Sequence, residues 1–323
     1  MRRLGCLILV VAAIFAAVFA GNFIYGWNSS GPLESERAII IKRGSSVAMA
    51  AETLEQEGAI KSAELFLSRA KVLGGSEPIK AGEFLIPAGA SNARIYELLQ
   101  SGKTIQRLIT VPEGTPSILV YETLMAEKLL TGDIPVPEEG SILPDSYSFE
   151  RGETRAAVVE RMQKAMKDVL AELWPKKTSE SVVKTPEEAI TLAAIVEKET
   201  AIEAERRTVA AVYSNRIRKG MMLQADPTII YPITKGKPLG RRIRRSEITD
   251  VNDYNTYAMT GLPKGPIANP GRSSIEAVLN PAITDYLYFV ADGKGGHIFA
   301  KTLDEHNANV AKWYAIRRER GEM

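Results

Sequence analysis

Two glutamates, Glu197 and Glu199, are separated by one residue and follow an apolar segment that is predicted to be helical. At 100° per residue, Leu192, Val196, Glu199 and Glu203 form one stripe, whereas Glu197 lies about 160° around the helix from Glu199. The two carboxyl groups therefore cannot share one site, and we expect one to serve chemistry and the other to serve structure. A carboxyl group packed against Leu and Val is poorly solvated when ionised, so its pKa rises. Glu199 is thus the candidate general acid.

An alternative interpretation gives Glu199 a purely structural role. In that case its carboxylate caps the helix or pairs with a nearby cation such as Arg206 or Arg207. Position along the chain does not separate this alternative from general acid chemistry. The residues that follow favour chemistry.

Polar side chains on stiff loops follow this helical segment. Proline after Asp226 favours an extended or turn backbone there, and a second loop is rich in Gly and Pro. Amide, hydroxyl and aromatic side chains on rigid loops suit a sugar, whose hydroxyls need donors and acceptors and whose C–H face packs on rings. An ordinary turn-rich surface is the alternative. The candidate substrate-binding residues are Gln224, Asp226, Thr228, Asn255, Tyr257 and Asn269.

The scarcity of Cys and His excludes several classes of chemistry. The chain of 323 residues has one cysteine, Cys6, and two histidines, His297 and His306. A disulfide within the chain, a Cys/His protease and a Cys-ligated zinc site are therefore excluded. With 41 Lys+Arg against 39 Asp+Glu, the chain is also no broadly basic nucleic-acid binder. We expect no metal and no organic cofactor, and the role of His297 stays open.

The N-terminus is typical of a membrane anchor. Leu4 to Tyr25 contains 22 residues with Asn22 as the one strongly polar member, and such a helix is roughly 33 Å long. Arg2 and Arg3 precede it, so the positive-inside rule predicts a cytoplasmic N-terminus and an exported remainder. A cleavable signal peptide is the alternative, because the small residues near Ala20 suit a signal peptidase.

The exported part begins with a linker, residues 28–36, and a small α+β region, residues 37–103. Turn formers from Asn28 to Pro32 are followed by a predicted strand, two helices and a second strand, then a helix from Asn92 to Leu99. This order resembles a LysM-like peptidoglycan-binding module. A generic α+β lead-in domain is the alternative.

Residues 104–323 are predicted to form a larger domain of mixed helices and strands, so the fold class is α+β with an N-terminal transmembrane helix at residues 1–27. We expect one helix from Pro186 to Gly220, a loop-rich stretch from Leu223 to Asn280, and a surface-wrapping segment from Pro135 to Ser148. The chain then ends in two strands and a helix from Leu303.

Several long motifs in one order resemble the YceG-like family of endolytic murein transglycosylases over nearly the whole chain. They are Ala194–Ala201, Leu223–Thr228, Tyr254–Tyr257, Gly261–Pro263, Pro266–Gly271 and Tyr286–Gly293 through His297. The resemblance implies cleavage of the β-1,4 bond between N-acetylmuramic acid and N-acetylglucosamine within glycan strands, without water, leaving 1,6-anhydro ends. It also implies that Glu199 is the catalytic acid/base.

The same resemblance implies partners and a location. The partners are peptidoglycan glycan strands and peptidoglycan synthases, with strand termination as the biological role, and the location is the inner membrane with the catalytic domain outside the cytoplasm. Two other functions stay open: a membrane-tethered glycan-binding scaffold without catalysis, and a hydrolase. The first would yield no new ends and the second would yield reducing ends.

Overall fold

The computed structural model describes the backbone of residues 2–322 and the side chains of residues 6–322. Contacts divide the chain into two units. The first unit runs to Arg107 and includes Phe149–Arg151, and the second contains Leu108–Ser148 and the chain from Gly152 onward. The domain boundary predicted between residues 103 and 104 lies a few residues before this division.

Helix α1 (Arg2–Asn28) contains the predicted anchor. Its segment Cys6–Asn28 has 23 residues and a mean hydropathy of 2.6, so it is long and apolar enough to cross a membrane. The side chains of this segment are exposed until the last turns. There Trp27 is buried against the rings of Phe66 and Tyr96, with centroids 5.7 and 5.9 Å away. The end of the helix is therefore part of the first unit's core.

The rest of the first unit is a small α+β structure. Serine side chains cap three of its helices, because Ser46, Ser62 and Ser91 each accept a hydrogen bond from a backbone N–H in the first turn. The two strands are antiparallel, and the observed order of strand, helix, helix, strand agrees with the predicted one. The assignment to a LysM-like module stays a prediction. The elements are β1 (Arg37–Ile41), α2 (Val47–Gln56), α3 (Ala63–Leu73), β2 (Gly82–Ile86) and α4 (Asn92–Ser101).

The second unit is mainly helical, with a short strand pair near its C-terminal end. Strand β5 pairs with β6 in antiparallel register, Tyr288 opposite Ala300, and β3 pairs with β4. A 3₁₀ turn, Trp174–Lys176, follows α6. The elements are β3 (Arg107–Thr110), α5 (Ser117–Ala126), β4 (Ser146–Phe149), α6 (Arg155–Leu173), α7 (Pro186–Glu199), α8 (Glu203–Arg218), α9 (Asp226–Thr234), α10 (Arg245–Ile248), α11 (Arg272–Leu279), β5 (Tyr288–Ala291), β6 (His297–Ala300) and α12 (Leu303–Glu319).

Helix α7 is the central helix of the second unit. Every residue from Ala189 to Val196 is buried, and the helix packs against α8, α9 and α11. Small residues at Ala193 and Ala194 allow such close packing on all sides. A helix buried in this way holds its last turn, which carries both glutamates, in a rigid position.

The prediction of one helix from Pro186 to Gly220 is wrong, because the chain breaks between α7 and α8. Thr200 has an extended backbone, and its hydroxyl accepts a hydrogen bond from the backbone N–H of Ile202 (3.1 Å) and donates to Glu205 (3.3 Å). These bonds satisfy groups that a continuous helix would have paired internally. Glu199 is consequently the last residue of α7, and Glu203 begins another helix. The predicted apolar stripe therefore ends at Glu199.

Most of the stretch from Leu223 to Asn280 lies outside helices and strands, as predicted, and helices α9, α10 and α11 interrupt it. Two details of the loops differ from the prediction. Asp226-Pro227 begins α9 instead of forming a turn, because proline is tolerated in the first turn of a helix, where its missing N–H has no partner to lose. The segment from Pro135 to Ser148 does not simply wrap the surface, since Ile142 is fully buried and strand β4 starts at Ser146.

Candidate active site

The last turn of α7 opens onto a cavity of about 310 Å³ in the second unit. Five parts of this unit line it: the end of α7, the inner face of α8, the segment that enters α9, strand β5 and helix α12, together with one loop tyrosine. The lining residues are Glu199, Tyr213, Arg216, Leu223, Gln224, Asp226, Tyr257, Phe289 and His306. The cavity wall is predominantly polar.

Glu199 carries the most strongly perturbed carboxyl group of this cavity. Burial, with a smaller contribution from the nearby charge of Asp226, raises the pKa of Glu199 from 4.5 to about 7. A hydrogen bond from the Tyr213 hydroxyl and the charges of His297 and Arg216 act in the opposite direction without overcoming burial. The carboxyl group therefore keeps its proton up to near-neutral pH. A protonated carboxyl group that faces a cavity has the chemistry that a general acid requires.

The buried hydroxyl of Tyr213 forms a hydrogen bond with the Glu199 carboxyl group. The Tyr213 side chain is 2% exposed, and burial together with the charge of Glu199 raises the pKa of its hydroxyl well above the usual range. A tyrosine in this setting stays neutral and donates its proton in a hydrogen bond. Its ring packs edge-on against Phe289, at 6.0 Å between centroids. Tyr213 thereby fixes the direction in which the Glu199 carboxyl points.

A second carboxylate, Asp226, faces the same cavity from the start of α9. Tyr257 donates a hydrogen bond to it at 2.6 Å, and burial together with this bond raises the pKa of Tyr257. The preceding loop is strained, since Gln224 has a φ of 54°, a left-handed value that is uncommon outside glycine. Strain of this kind often marks a functional site, and here it directs the exposed Gln224 side chain toward the cavity wall.

Arg216 provides a fixed cation. Its Nε donates to the Leu287 carbonyl and its Nη1 to the Leu223 carbonyl, both at 2.7 Å, and its guanidinium lies 5.2 Å from the centroid of the Tyr288 ring. Burial lowers the pKa of Arg216, although an arginine remains charged at any physiological pH. The cavity thus has two carboxyl groups and one cation held by backbone carbonyls.

The structure brings four of the seven predicted site residues to this cavity: Glu199, Gln224, Asp226 and Tyr257. The other three are fully buried and hydrogen-bonded inside the fold. Thr228 shares a 2.8 Å hydrogen bond with the Thr256 hydroxyl, and the Asn255 amide donates to the carbonyls of Ile248 and Asp250.

Asn269 is the third buried residue, and it joins three separate segments. Its Oδ1 accepts from the backbone N–H of Ile142 (3.0 Å), and its Nδ2 donates to the Thr115 carbonyl (2.9 Å) and the Ser117 hydroxyl (3.0 Å). These bonds hold loops of the second unit together. The side chain of Asn269 does not line the cavity, and neither do those of Thr228 and Asn255.

Glu197 lies on the opposite side of α7 and forms different contacts. Its carboxylate accepts from the backbone N–H of Gly271 (2.9 Å) and from Arg206 (3.3 Å), which also pairs with Glu113 (3.1 Å). Arg207 instead donates to Asn280. The structure therefore pairs neither arginine with Glu199, and the expected division between the two glutamates is observed in their contacts.

His297 does not line the cavity, but it contacts the break next to it. Its backbone N–H and its Nδ1 lie 2.9 and 2.7 Å from the two carboxylate oxygens of Glu205, in the first turn of α8. The same carboxylate accepts from Thr200. The contact connects β6 to the residues that terminate α7, so it supports the position of Glu199 indirectly.

Five lining residues were not among the predicted site residues: Tyr213, Arg216, Leu223, Phe289 and His306. A tyrosine and an arginine on the apolar face of a predicted helix were the available signal, because buried Tyr and Arg require partners. Across the side chains of residues 6–322, no cluster of three or more His, Cys, Asp and Glu is placed to hold a metal ion.

Comparison with known proteins assigns the chain to a family. The YceG-like family model matches residues 39–312. An endolytic murein transglycosylase of Bacillus subtilis (strain 168) is 31% identical over 94% of this chain and 93% of its own length. A protein of the same name from Streptococcus pneumoniae serotype 2 is 33% identical over 54% of this chain, which spans only 32% of that relative.

A solved structure gives the same result. The crystal structure of a yceG-like protein from Listeria monocytogenes superimposes with a TM-score of 0.52 at 28% identity, covering 85% of this chain and 99% of that one. A match of the family model over most of the chain and a relative of similar length at this identity leave one conclusion. The chain belongs to the YceG-like family.

Proposed function

We propose that this chain is an endolytic murein transglycosylase, an enzyme that cleaves the β-1,4 bond between N-acetylmuramic acid and N-acetylglucosamine within glycan strands and leaves 1,6-anhydro ends. The observation that carries the proposal is the carboxyl group of Glu199, protonated near pH 7 at the wall of a polar cavity. The names of its relatives in Bacillus and Streptococcus support the same activity.

The proposed reaction uses Glu199 twice. Its carboxyl group first donates its proton to the glycosidic oxygen, so the bond to the muramyl C1 breaks and the leaving sugar departs as an alcohol. The carboxylate that remains then accepts the proton of the muramyl 6-hydroxyl as that oxygen bonds to C1. The acid is regenerated and no water is consumed. A pKa near 7 suits a group that must both give and take a proton.

Two other groups have proposed roles in this reaction. The positive charge that develops at C1 is stabilised by the substrate's own acetamido group or by the Asp226 carboxylate, which Tyr257 orients. Tyr213 holds the Glu199 carboxyl in place by its hydrogen bond. Thr228, Asn255 and Asn269 act through the loops they connect, since their own side chains are buried within the fold.

Hydrolysis is a second candidate because Asp226 lines the same cavity as Glu199. Ordinary glycosidases use two carboxyl groups, one as acid and one as base or nucleophile. With Asp226 in that second role, water would replace the 6-hydroxyl and the product would have a reducing end. Product chemistry separates the two reactions.

The remaining parts of the proposal concern location and partners. Helix α1 would hold the chain in the inner membrane as a single-pass anchor with a cytoplasmic N-terminus, and the second unit would act outside the cytoplasm. Residues 37–103 would bind glycan as a LysM-like module. An enzyme tethered in this way would terminate strand elongation beside peptidoglycan synthases.

The test is product analysis with the full-length protein in detergent. Isolated glycan strands are digested, and new ends are identified by mass spectrometry. We expect 1,6-anhydro ends from the parent and a loss of about 10³-fold for Glu199→Gln, a typical contribution of general acid–base catalysis. Glu203→Gln is the matched control, since Glu203 is exposed at the start of α8 and should leave the rate unchanged.

Each other outcome has a definite meaning. Reducing ends would identify a hydrolase, and no new ends with any substrate would favour the non-catalytic glycan-binding scaffold. Activity near the parent level in Glu199→Gln would reject the role of Glu199 while leaving the product assignment intact.

A further inference from the structure

His306, in the first turn of α12, lines the same cavity as Glu199, and the proposed reaction gives it no role. Within the part of the chain whose side chains are described, neither of its ring nitrogens has a hydrogen-bond partner. Nδ1 is buried and unpaired. Because the protein pairs neither nitrogen and the side chain lines the cavity, the ring can form a hydrogen bond with a molecule bound there.

Stacking holds the imidazole in place where hydrogen bonds do not. The ring lies on that of Tyr288, with centroids 5.2 Å apart and planes inclined by 24°. Arg216 lies 5.2 Å from the centroid of the same tyrosine ring. The resulting row of Arg216, Tyr288 and His306 connects α8, β5 and α12. The stacking fixes the plane of a ring that lines the cavity.

The ionisation state follows from the same surroundings. Burial and the charge of Arg216 lower the pKa of His306 below its usual value of 6.5. The ring is therefore neutral at pH 7 and carries one N–H. Since Nδ1 is sealed from solvent, Nε2 is the nitrogen that can meet a molecule in the cavity.

We propose that His306 is a substrate-contacting residue of this active site, whose Nε2 forms a hydrogen bond with an oxygen of the N-acetylated saccharide bound beside Glu199. The inference rests on the proposed function, because it needs a saccharide in this cavity. It makes the C-terminal helix part of the active site. The oxygen is either one common to all N-acetylated sugars, such as that of the acetamido group, or one of the lactyl group of muramic acid.

Binding measured without turnover isolates this contact from the chemical step. Full-length Glu199→Gln protein in detergent is titrated calorimetrically with the N-acetylglucosamine tetramer and with a peptide-free tetrasaccharide containing N-acetylmuramic acid. We expect His306→Ala in this background to weaken binding about five- to tenfold, which is the usual value of one neutral hydrogen bond. Asn307→Ala, at an exposed neighbour on the same helix, should leave the dissociation constant within about twofold, as surface substitutions normally do.

Two amide variants test which nitrogen is used without changing the packing greatly. The amide of His306→Gln reaches the position of Nε2, whereas that of His306→Asn reaches the position of Nδ1. We expect Gln to retain most of the affinity and Asn to lose as much as Ala does. Equal affinity in all three variants, or retention by Asn alone, would overturn the proposal.

The two ligands identify the oxygen and keep the inference distinguishable from the proposed function. An equal loss with both saccharides assigns the contact to a group common to N-acetylated sugars, and a loss confined to the muramyl ligand assigns it to the lactyl group. Saccharide binding that is indifferent to His306 sinks this inference alone, since the product assay judges the function separately. Absence of binding to either saccharide sinks it as well.

Discussion

Two buried regions at the end of α7 differ in what surrounds a glutamate. On one side, Glu197 meets a guanidinium and a backbone N–H, and both of its oxygens have a donor. On the other side, Glu199 meets the Tyr213 hydroxyl, a neighbouring carboxylate and a cavity, and burial raises its pKa to about 7. The residue type, the helix and the depth are similar, so partner chemistry makes the difference.

Burial alone therefore does not keep a carboxyl group protonated at neutral pH. A buried carboxyl group ionises when a cation and donors replace the lost water, and it keeps its proton when they do not. Because the two positions are about 160° apart on one helix, a single turn of α7 directs the Glu197 carboxylate to Arg206 and the Glu199 carboxyl group to the cavity.

The largest expected effect on stability follows from removal of the Glu197 carboxylate. Glu197→Ala leaves the Gly271 N–H without its acceptor and deprives buried Arg206 of one of its two carboxylates. We expect the free energy of unfolding to fall by about 3 kcal/mol, as when one partner of a buried ion pair is removed. Denaturant unfolding of the full-length protein measures it. In the control, Glu113→Ala removes the 43% exposed partner of the same arginine and should cost less than about 1 kcal/mol.

The second prediction is that substitution of Glu199, unlike that of Glu197, increases stability above about pH 5. Between pH 4.5 and about 7 the unfolded chain releases the Glu199 proton while the folded protein keeps it, so this group lowers stability as pH rises through that range. Glu199→Gln removes this loss. Relative to the parent, we expect it to gain roughly 3 kcal/mol on going from pH 4 to pH 8. A difference between parent and variant that is independent of pH would show that the Glu199 pKa is ordinary.

The third prediction is the pH dependence of the rate. If Glu199 must be protonated to act, kcat/KM should fall about tenfold for each pH unit above the pKa of about 7. Initial rates of anhydro-product release between pH 5 and 9 test this. A rate that keeps rising above pH 8 would require a different acid and would remove the contrast between the two glutamates.

The smallest predicted effect concerns the hydrogen bond between Tyr257 and Asp226. Tyr257→Phe removes the 2.6 Å hydrogen bond to Asp226 without leaving a void, and we expect kcat to fall about five- to tenfold, with stability little changed. Tyr254→Phe is the control, because Tyr254 packs on Tyr231 outside the cavity. Equal rates in both variants would mean that the orientation of Asp226 is unimportant to the reaction.

Local sequence patterns predicted several helices and the choice of Glu199 as the candidate acid. The apolar run of α1, the serine caps of the first unit and the period of α7 are set by residues close in sequence. The selection of Glu199 over Glu197 also needed the polar residues downstream and the family motif, because α7 is apolar on every side. The break after Glu199 could not be predicted, since it depends on Glu205, which is held by His297 about ninety residues later.

The sequence also could not predict which of the candidate substrate-binding residues face the cavity. Gln224, Asp226 and Tyr257 reach the cavity, whereas Asn255 and Asn269, equally polar and on similar loops, turn inward to bind backbone groups. Side-chain type states what a residue can bond to, but the direction it faces depends on segments distant in sequence. Burial of backbone carbonyls and N–H groups demands partners, and the nearest amide side chains supply them.

The sequence by itself determined the long apolar N-terminal helix, and it predicted carboxyl chemistry with Glu199 as the candidate acid. Only the tertiary structure decided that α7 stops at this residue, that Arg216 and His306 share its cavity, and that three of the predicted ligands are internal. Helical period and composition act over a few residues, whereas desolvation and the pairing of charges depend on what the folded chain brings together.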